Sequence, residues 1–439
     1  MNKFLHSSLI LLLSLLFVNF NSNAAGWEQI RQQYGALAFH IADDGTMILA
    51  DYLFDGSGGI YISEDNGENW TKVDVPDYTY KFFVETDEYI FAGGGSAKVA
   101  RSADNGRTWE VMSYADALKG TVVEGQEEYT VTYGMTMHEG KLFVADFSGG
   151  GVVYSADNGE TWHQTDVESF KYGEVDPELG DRFTESLYNV VSYNGNLYAF
   201  GVYFVFKMDN ETMKWEAVRN DSNFLVISTM YKGKMCCGRS IMNETTDVAF
   251  ILTLDEEENW GEIPRPEGFI DNNIRAMHGD GDALYVGMTF RGIKYTENEG
   301  KDWTDISEGL VSYGESELEK SYDVPLVITT DDEYVYMVIY RDPNNDYSDV
   351  SGLYRLSKSE LPSSSVDTVE ANEEFVMVTD SSIILSKDVL SFNLYDLNGQ
   401  KVGGIRQDSN QVSIENIPRG IYIYRIETED KILTGKIKK

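Results

Sequence analysis

Short β-type runs separated by turn residues recur along most of this chain. Residues 133–139, 141–147, 152–156 and 161–165 are four such runs, rich in aromatic, β-branched and other apolar residues and separated by glycine-containing turns. Runs of this kind are typical of short strands. Comparable four-run units begin near Leu37, Tyr80, Tyr133, Leu187, Val226, Ile274 and Asp323. The pattern predicts an all-β chain built from repeated four-stranded units.

An eight-residue pattern, Ser-x-Asp-x-Gly-x-x-Trp, marks the end of the third run in most units. Complete copies occupy residues 63–70, 102–109 and 155–162, and residues 296–303 carry Thr for Ser and Asn for Asp. Residues 253–260 lack the glycine, and residues 209–215 carry one extra residue. The residues that define the four better copies are Ser63, Asp65, Gly67, Trp70, Ser102, Asp104, Gly106, Trp109, Ser155, Asp157, Gly159, Trp162, Thr296, Asn298, Gly300 and Trp303.

The pattern has the composition of a tight hairpin rather than of a catalytic site. Asp-Asn-Gly between two β-type runs is a strong turn signal, and the Ser and Asp oxygens can accept hydrogen bonds from loop N–H groups. It resembles the Asp-box repeat of bacterial sialidases, xyloglucanases and sortilin-type receptors. That resemblance implies a β-propeller in which the boxes are structural and lie away from the active site.

The two ends of the repeat region complement each other. The last unit has strands in residues 334–339 and 352–356 but no tryptophan strand after them. Residues 26–30, which include Trp27, look like a tryptophan strand with no unit before it. We therefore predict a seven-bladed β-propeller closed by the N-terminal strand, because one blade built from both ends leaves no open sheet edge.

Loop lengths distinguish two faces of this ring. The connections between first and second strands are short, as are most box turns, and antiparallel pairing places both sets on one face. The other connections vary widely in length and must lie on the opposite face. Variable loops on a rigid scaffold are where binding sites are usually built.

The two ends of the chain have the sequence features of an exported protein. Lys3, an apolar run over residues 9–18 and small residues at 23–25 form an export signal with its cleavage site. We predict a signal peptide (1–25), an Asp-box propeller (26–360), a linker (361–372) and a small C-terminal β-sandwich (373–439). After the signal, no run approaches the roughly 20 apolar residues of a transmembrane helix.

The C-terminal region resembles the sorting domain of type IX secretion in Bacteroidota. Residues 391–402 form a hairpin with an Asn-Gly turn, residues 417–426 are a strand entered by a Pro-x-Gly turn, and a Lys-Ile-Lys-Lys tail follows. The resemblance implies export through the outer membrane by the type IX machinery. The Tyr-Pro-Asn-Pro stretch that often opens such domains is missing, so free release and surface attachment both stay open.

The charge and composition of the chain limit the classes of partner it is expected to bind. The net charge is −38, and residues 366–439, with 9 basic and 12 acidic groups, contribute little of it. A field of this sign repels nucleic acid and anionic lipid, and it is compatible with a loosely bound divalent cation. No metal-ligand spacing or cofactor motif is present, so we predict no cofactor. The only cysteines, Cys236 and Cys237, are adjacent and are expected to be reduced and packed.

Enzymatic activity is an open alternative. In sialidases three arginines hold the substrate carboxylate, the first of them before the first box, where this chain has only Arg31. Other glycosidases need two carboxylates flanking the scissile bond. The candidates for such a pair are Asp51, Asp146 and Asp342, near the outer ends of second strands, and capping of loop backbone is their alternative role.

The candidate ligand contacts are aromatic and arginine side chains where second strands reach the variable face. They are Tyr52, Phe147, Tyr203, Arg239, Phe290, Arg291, Tyr340 and Arg341. We predict a secreted or surface-displayed propeller that binds an extracellular glycan or protein on this face. The alternatives are a xyloglucanase-like or sialidase-like glycoside hydrolase with a carboxylate pair on the same face, and an assembly factor that docks another exported protein.

Overall fold

The computed structural model describes most of the repeat region and the strands of the C-terminal region. The described residues are 26–33, 35–51, 59–75, 79–122, 124–125, 127, 130–175, 181–220, 225–241, 250–266, 272–289, 291–313, 321–322, 324–340, 351–361, 376–378, 382–385, 391–395, 401–406, 411–413, 421–427 and 432–438. Strands dominate them, and their only helices are short 3₁₀ turns at Ala115–Leu118, Val167–Phe170 and Lys358–Glu360. The predicted all-β fold is confirmed. The predicted signal peptide and nearly all of the predicted linker lie outside the described residues.

The first strand, β1 (Glu28–Gln32), precedes a series of four-stranded antiparallel units that we label A to G. Unit A comprises β2 (Ala36–Ile41), β3 (Met47–Asp51), β4 (Gly59–Ser63) and β5 (Thr71–Lys72); unit B comprises β6 (Tyr80–Glu85), β7 (Ile90–Gly94), β8 (Lys98–Ser102) and β9 (Glu110–Ser113); unit C comprises β10 (Thr132–His138), β11 (Lys141–Asp146), β12 (Gly151–Ser155) and β13 (His163–Gln164). A hairpin of β14 (Lys171–Tyr172) and β15 (Phe183–Thr184) then leads to unit D.

The second half of the ring continues in the same way. Unit D comprises β16 (Leu187–Tyr193), β17 (Asn196–Gly201), β18 (Val205–Met208) and β19 (Trp215–Arg219); unit E comprises β20 (Leu225–Tyr231), β21 (Lys234–Ile241), β22 (Ile251–Leu254) and β23 (Trp260–Ile263); unit F comprises β24 (Asn272–Gly279), β25 (Leu284–Met288), β26 (Gly292–Thr296) and β27 (Thr304–Asp305). A small hairpin, β28 (Ser312–Tyr313) and β29 (Ser321–Tyr322), precedes β30 (Val324–Thr330), β31 (Tyr334–Tyr340) and β32 (Gly352–Ser357) of unit G.

Units E and F share one eight-stranded sheet. The end of β21 pairs with the start of β24, with Ser240 opposite Asn273. This pairing joins two four-stranded units that would otherwise be separate sheets. The division of this sheet into two blades, and with it the count of seven blades, stays a prediction.

The N-terminal strand completes unit G. β1 runs antiparallel to β32, with Glu28 opposite Arg355 and Gln29 opposite Tyr354. Trp27, just before β1, donates its indole N–H to the carbonyl of Ile306 in unit F at 2.6 Å. The predicted closure by the N-terminal strand is confirmed.

The first strands of the units form an inner ring. Each contacts the first strand of the next unit, from β2 through β6, β10, β16, β20 and β24 to β30, which contacts β2 again. Three histidines at the ends of these strands bridge neighbouring units: His40 contacts Glu85 at 2.7 Å, His138 contacts Ser192 at 2.9 Å and His278 contacts Thr330 at 3.2 Å. The histidines therefore hold separate positions around the ring.

The core follows the second strands. Every residue of β3, β7 and β25 is buried, because each second strand lies between two other strands and under the sheets of both neighbouring units. Cys236 and Cys237 show the two sides of such a strand. Both are buried free thiols, and they pack in different clusters, Cys236 with Ile274 and Cys237 with Phe200.

The repeat tryptophans link each unit to the one before it. Arg31 lies over the ring of Trp70, and Arg219 lies over the ring of Trp260. The Tyr114 ring contacts that of Trp162 in a tilted arrangement, with the centroids 5.6 Å apart. Trp215 and Trp303 instead donate their indole N–H groups to Thr165 and to the carbonyl of Pro264, both at 3.0 Å. The outer strand of one unit thus covers the tryptophan of the next.

The C-terminal strands form two further sheets. One contains β33 (Val376–Val378), β34 (Ser382–Leu385) and β37 (Gln411–Ser413); the other contains β35 (Ser391–Tyr395), β36 (Lys401–Arg406), β38 (Ile421–Glu427) and β39 (Ile432–Lys438). Their buried residues include Ile383, Phe392, Leu394 and Tyr424, and the rings of Phe392 and Tyr424 stack at 6.0 Å.

Candidate functional site

The strand directions define two faces of the ring. On one face, the box face, first strands end and the Asp-box turns follow the third strands. At the opposite edge, first strands begin and second strands end, as Thr132 opposite Asp146 shows in unit C. We call this opposite edge, with its loops, the variable rim.

The box residues bond to one another within their turns. In unit A, Ser63 Oγ donates to Asp65 at 2.8 Å and accepts from the Gly67 amide at 2.9 Å, and Asp65 also accepts from the amide of Asn69 at 2.8 Å. Ser102, Asp104 and Gly106 repeat these bonds in unit B, as do Ser155, Asp157 and Gly159 in unit C and Thr296, Asn298 and Gly300 in unit F. The bond from the Thr161 hydroxyl, joined by those from the Thr161 amide and Ser155, lowers the pKa of Asp157 to about 2. The boxes form closed hydrogen-bond sets.

The variable rim carries a β-bulge at the start of every first strand. In each unit the strand register shifts across one extra residue near the first position. The extra residues are Leu37, Lys81, Tyr133, Tyr188, Val226, Arg275 and Leu326. A bulge re-aims a side chain out of the alternating pattern. Since first strands form the inner ring, these residues surround the opening of the central channel.

Three aromatic rings meet at this opening between units C and D. Tyr133 lies edge-on to Phe147, with ring centroids 5.5 Å apart, and Tyr188 lies 5.7 Å from Tyr133 and 5.0 Å from Phe147. The Lys81 ammonium lies 4.2 Å from the centre of the Tyr133 ring. Three of these four residues come from bulges. We call this set the inner aromatic cluster.

A glycine allows the two bulges to approach. Gly134 directly follows Tyr133, and Asn189 directly follows Tyr188. A Cβ added at Gly134 would lie only 2.1 Å from Asn189 Oδ1. The absence of a side chain at position 134 thus permits β10 and β16 to pack closely. Burial raises the pKa of Tyr188, and neighbouring Tyr133 adds to the effect.

A second aromatic group, the outer aromatic cluster, lies beside the β14–β15 hairpin. Tyr172 is 5.8 Å from Tyr203, 5.5 Å from Phe204 and 6.3 Å from Phe183, measured between ring centroids. Tyr203 and Phe183 remain 49% and 48% exposed. Glu185 anchors the group by accepting a hydrogen bond from the Tyr203 amide at 2.5 Å.

The two clusters are neighbours along the rim. The loop that follows Phe147 reaches the hairpin, because a Cβ at Gly149 would lie 3.8 Å from Thr184, the residue after Phe183. Tyr133 at the inner end is 41% exposed, and Val175, between β14 and β15, is 58% exposed. Exposed aromatic side chains grouped at one place on a protein surface are candidates for a binding site.

The carboxylate candidates Asp51 and Asp146 face loop backbone. Asp51 accepts hydrogen bonds from the Gly59 amide at 2.7 Å and from the Gln33 side chain, and Asp146 accepts from the amides of Ser148 and Gly150, both at 3.0 Å. Both residues are 0% exposed. Desolvation raises the pKa of each to about 6, against the opposing effect of these hydrogen bonds.

The other predicted rim residues are spread around the ring. Arg239 lies near the end of β21 and is only 1% exposed, Arg291 lies exposed in the loop before β26, and Tyr340 ends β31 half-buried. Tyr52, Phe290, Arg341 and Asp342 lie outside the described residues. Of the predicted residues, Phe147 and Tyr203 belong to the two aromatic clusters. Sequence reasoning missed Lys81, Tyr133 and Tyr188, although all three share one repeat position.

Two further observations bear on cofactors and membranes. The part of the chain that the structure describes contains no cluster of three or more His, Cys, Asp or Glu side chains that could hold a metal ion. Within the same residues, no helix has the length and apolar character to cross a bilayer.

Two known protein families match parts of this chain. Residues 153–164 match the BNR/Asp-box repeat, and residues 372–439 match the secretion system C-terminal sorting domain. No curated protein sequence is significantly similar to this chain.

Solved structures similar to this chain are propellers. The extracellular domain of the BT4673 one-component system from B. thetaiotaomicron is 12% identical with a TM-score of 0.51, and the match covers 95% of this chain but 59% of that domain. The β-propeller domain of Myceliophteria thermophila Cps50 (Swd1) is 10% identical with a TM-score of 0.54, covering 76% of this chain and 99% of that one. A structure of YCF48 bound to D1 peptide is 13% identical with a TM-score of 0.50, covering 76% and 97%. At these identities the likeness shows the fold alone.

The sheet topology, the Asp-box turns and the C-terminal match all point to the same two-part organisation. The sorting domain indicates export, with secretion or surface attachment as the outcome, and it implies the type IX secretion machinery. The chain is an Asp-box β-propeller with a C-terminal secretion sorting domain.

Proposed function

We propose that this chain is an extracellular binding module whose variable rim docks another protein. The observation that carries the proposal is the pair of adjacent aromatic clusters between units C and D. They contain Tyr133, Phe147 and Tyr188 at the channel opening and Tyr172, Phe183 and Tyr203 beside the hairpin.

The composition of this surface favours a protein over a glycan. Tyrosine and phenylalanine are enriched at the centres of protein interfaces. The Lys81 ammonium already occupies a face of the Tyr133 ring on which a sugar could stack. The neighbour YCF48 was solved with a bound peptide, which agrees with peptide recognition by a propeller of this type.

The glycoside hydrolase alternative has less support. A hydrolytic pair must reach its substrate, yet Asp51 and Asp146 are buried and accept hydrogen bonds from the loops they cap. Their raised pKa values follow from burial and do not require catalysis.

The test uses the intact chain against a phage-displayed peptide library and a glycan array in parallel. We expect selected peptides whose affinity falls about tenfold or more in Tyr133→Ala, the loss typical of an interface hot spot. The matched control is Tyr89→Ala, which removes a half-buried tyrosine near the β6–β7 turn on the box face.

Three outcomes would count against the proposal. Peptide binding that is indifferent to Tyr133→Ala would place the site elsewhere. Glycan binding that depends on Tyr133, without peptide binding, would replace the protein partner with a sugar. Hydrolysis of xyloglucan or a sialoside that is lost in Asp146→Asn would establish the enzyme.

A further inference from the structure

We propose that the partner of the variable rim is a basic polypeptide segment, which places apolar side chains on the inner aromatic cluster and lysine or arginine side chains on the outer aromatic cluster. We rest this on the proposed function and add the chemistry of the partner to it. Three features of the rim support such a partner: the charge of the loops beside the clusters, the pairing of their basic residues, and aromatic rings that carry no cation.

Two acidic loops of the rim lie beside the clusters. Residues 114–132 lead into β10 and hold four acidic residues and one basic residue, and residues 165–186, which include the β14–β15 hairpin, hold seven acidic and two basic residues. The first loop packs against the loop that follows Phe147, because a Cβ added at Gly150 would lie 2.7 Å from Leu118. Together the two loops hold 11 acidic and 3 basic residues, a net charge of −8.

The basic residues of these loops are already paired within their own loop. Lys171 Nζ lies 2.6 Å from both Glu168 and Asp181, and Arg182 Nη2 lies 3.6 Å from Glu168. Lys119 pairs at 2.6 Å with the aspartate three positions before it. The positive charges of the loops are therefore used internally, and the acidic excess faces a partner.

Several carboxylates of these loops have no basic partner. Glu124 and Glu174 are exposed, and within the described ranges neither forms a salt bridge. Glu185, which accepts the Tyr203 amide at the outer aromatic cluster, is 1% exposed, and its Oε2 atom has no hydrogen-bond partner among the described residues. A cation that docks on the outer cluster is attracted by these groups, whereas an acidic segment is repelled by them.

The two clusters differ in the cations that their rings already carry. In the inner cluster, the Lys81 ammonium lies 4.2 Å from the centre of the Tyr133 ring. In the outer cluster, Phe183 and Tyr203 are about half exposed, and no lysine or arginine in the described part of the chain lies over their rings. Since a cation is attracted to an open aromatic face, we assign the basic side chains of the partner to the outer cluster. Lys81 repels a second cation, so apolar side chains belong on the inner cluster.

The test begins with peptides selected on the intact chain from a random phage-displayed library, of which those that bind less well to Tyr133→Ala are kept. We expect these peptides to combine lysine or arginine with aromatic or aliphatic residues. Their affinity should fall as the salt concentration rises from about 50 mM to about 500 mM. The matched probe is the same peptide with every lysine and arginine replaced by glutamine, which should bind at least about tenfold more weakly.

Variants of the chain locate the basic end of the segment. Glu174→Lys should weaken binding of the basic peptide about tenfold, because an attraction becomes a repulsion, and should leave the glutamine version within about twofold. Tyr133→Ala should weaken both peptides by a similar factor. The control is Glu68→Lys, which makes the same charge change in the exposed box turn of unit A and should leave both affinities within about twofold.

The outcomes separate this partner from the proposed function. Peptides that depend on Tyr133 but are neutral or acidic, or that bind equally well without their basic residues, would overturn the basic partner and leave the proposed function standing. Equal effects of Glu174→Lys and Glu68→Lys would overturn the placement of the basic side chains. A library that yields no peptide dependent on Tyr133 would overturn the proposed function, and this partner with it.

Discussion

The box face and the variable rim of the same ring differ in how far their repeat positions vary from unit to unit. On the box face, the bond from the glycine amide to the serine hydroxyl measures 2.9, 2.9 and 2.8 Å in units A, B and C. On the rim, one repeat position holds a leucine in unit A, a lysine in unit B and tyrosines in units C and D. The box face repeats the same hydrogen bond in each of these units, while the rim carries different side chains on the same backbone geometry.

This difference separates stability from recognition. The box turns and tryptophans connect neighbouring units, so a change there should weaken the ring. The bulges keep a common backbone whatever side chain they carry, so the rim can change its chemistry without changing the fold. We therefore expect large stability effects on the box side and large binding effects on the rim.

The largest effect should come from the closing tryptophan. Trp27→Ala removes a side chain that is 6% exposed, together with its hydrogen bond to Ile306. Large-to-small core substitutions of this kind cost about 3–5 kcal/mol of unfolding free energy. Urea unfolding checks it, and a loss below about 1 kcal/mol would contradict closure through this strand.

A smaller loss should follow from crowding a box turn. Gly106 and Gly45 both have a φ of +84°. A Cβ added at Gly106 would lie 2.6 Å from Ile48 Cδ1, whereas a Cβ added at Gly45 would have no neighbouring atom within 4 Å. Gly45→Ala should cost about 1 kcal/mol for the left-handed backbone alone. Gly106→Ala should cost a further 1–3 kcal/mol for overpacking. Equal unfolding free energies of the two variants would show that the box turn is not tightly packed.

The pH dependence of stability should reveal the buried rim carboxylate. Burial raises the pKa of Asp146 to about 6 in the folded chain, above its ordinary value of 3.8. Its contribution to stability is thus fully present below the unfolded pKa and is lost as the pH rises through about 6. Between pH 5 and 7 the native chain should lose about 1 kcal/mol that Asp146→Asn does not lose.

Comparing the two proteins cancels the titration of all other groups. Asparagine can still accept the amide hydrogen bonds of Ser148 and Gly150, so the variant should fold. Urea unfolding at both pH values gives the difference. Identical pH profiles for the native chain and Asp146→Asn would contradict the raised pKa.

The sequence revealed the scaffold better than the rim. Trp27 without a unit before it, and a last unit without its tryptophan, predicted the closing strand, because both signals are local and repeated. Phe147 and Tyr203 were found from the ends of second strands. Lys81, Tyr133 and Tyr188 were missed because a bulge breaks the strand alternation from which side-chain direction is read.

The burial of side chains by neighbouring units could not be predicted from the sequence either. Arg239 lies near the end of a second strand and is nevertheless only 1% exposed, since burial depends on packing between units as well as on the residue's own strand. The orientation of Asp51 and Asp146 toward loop amides depended on loop paths that no periodicity encodes.

The most direct test of the separation between scaffold and rim is a paired measurement on Tyr133→Ala. We predict that peptide affinity falls about tenfold or more while the unfolding free energy changes by less than about 1 kcal/mol, because Tyr133 is 41% exposed. A loss of stability comparable to that of Trp27→Ala, with peptide affinity unchanged, would contradict it.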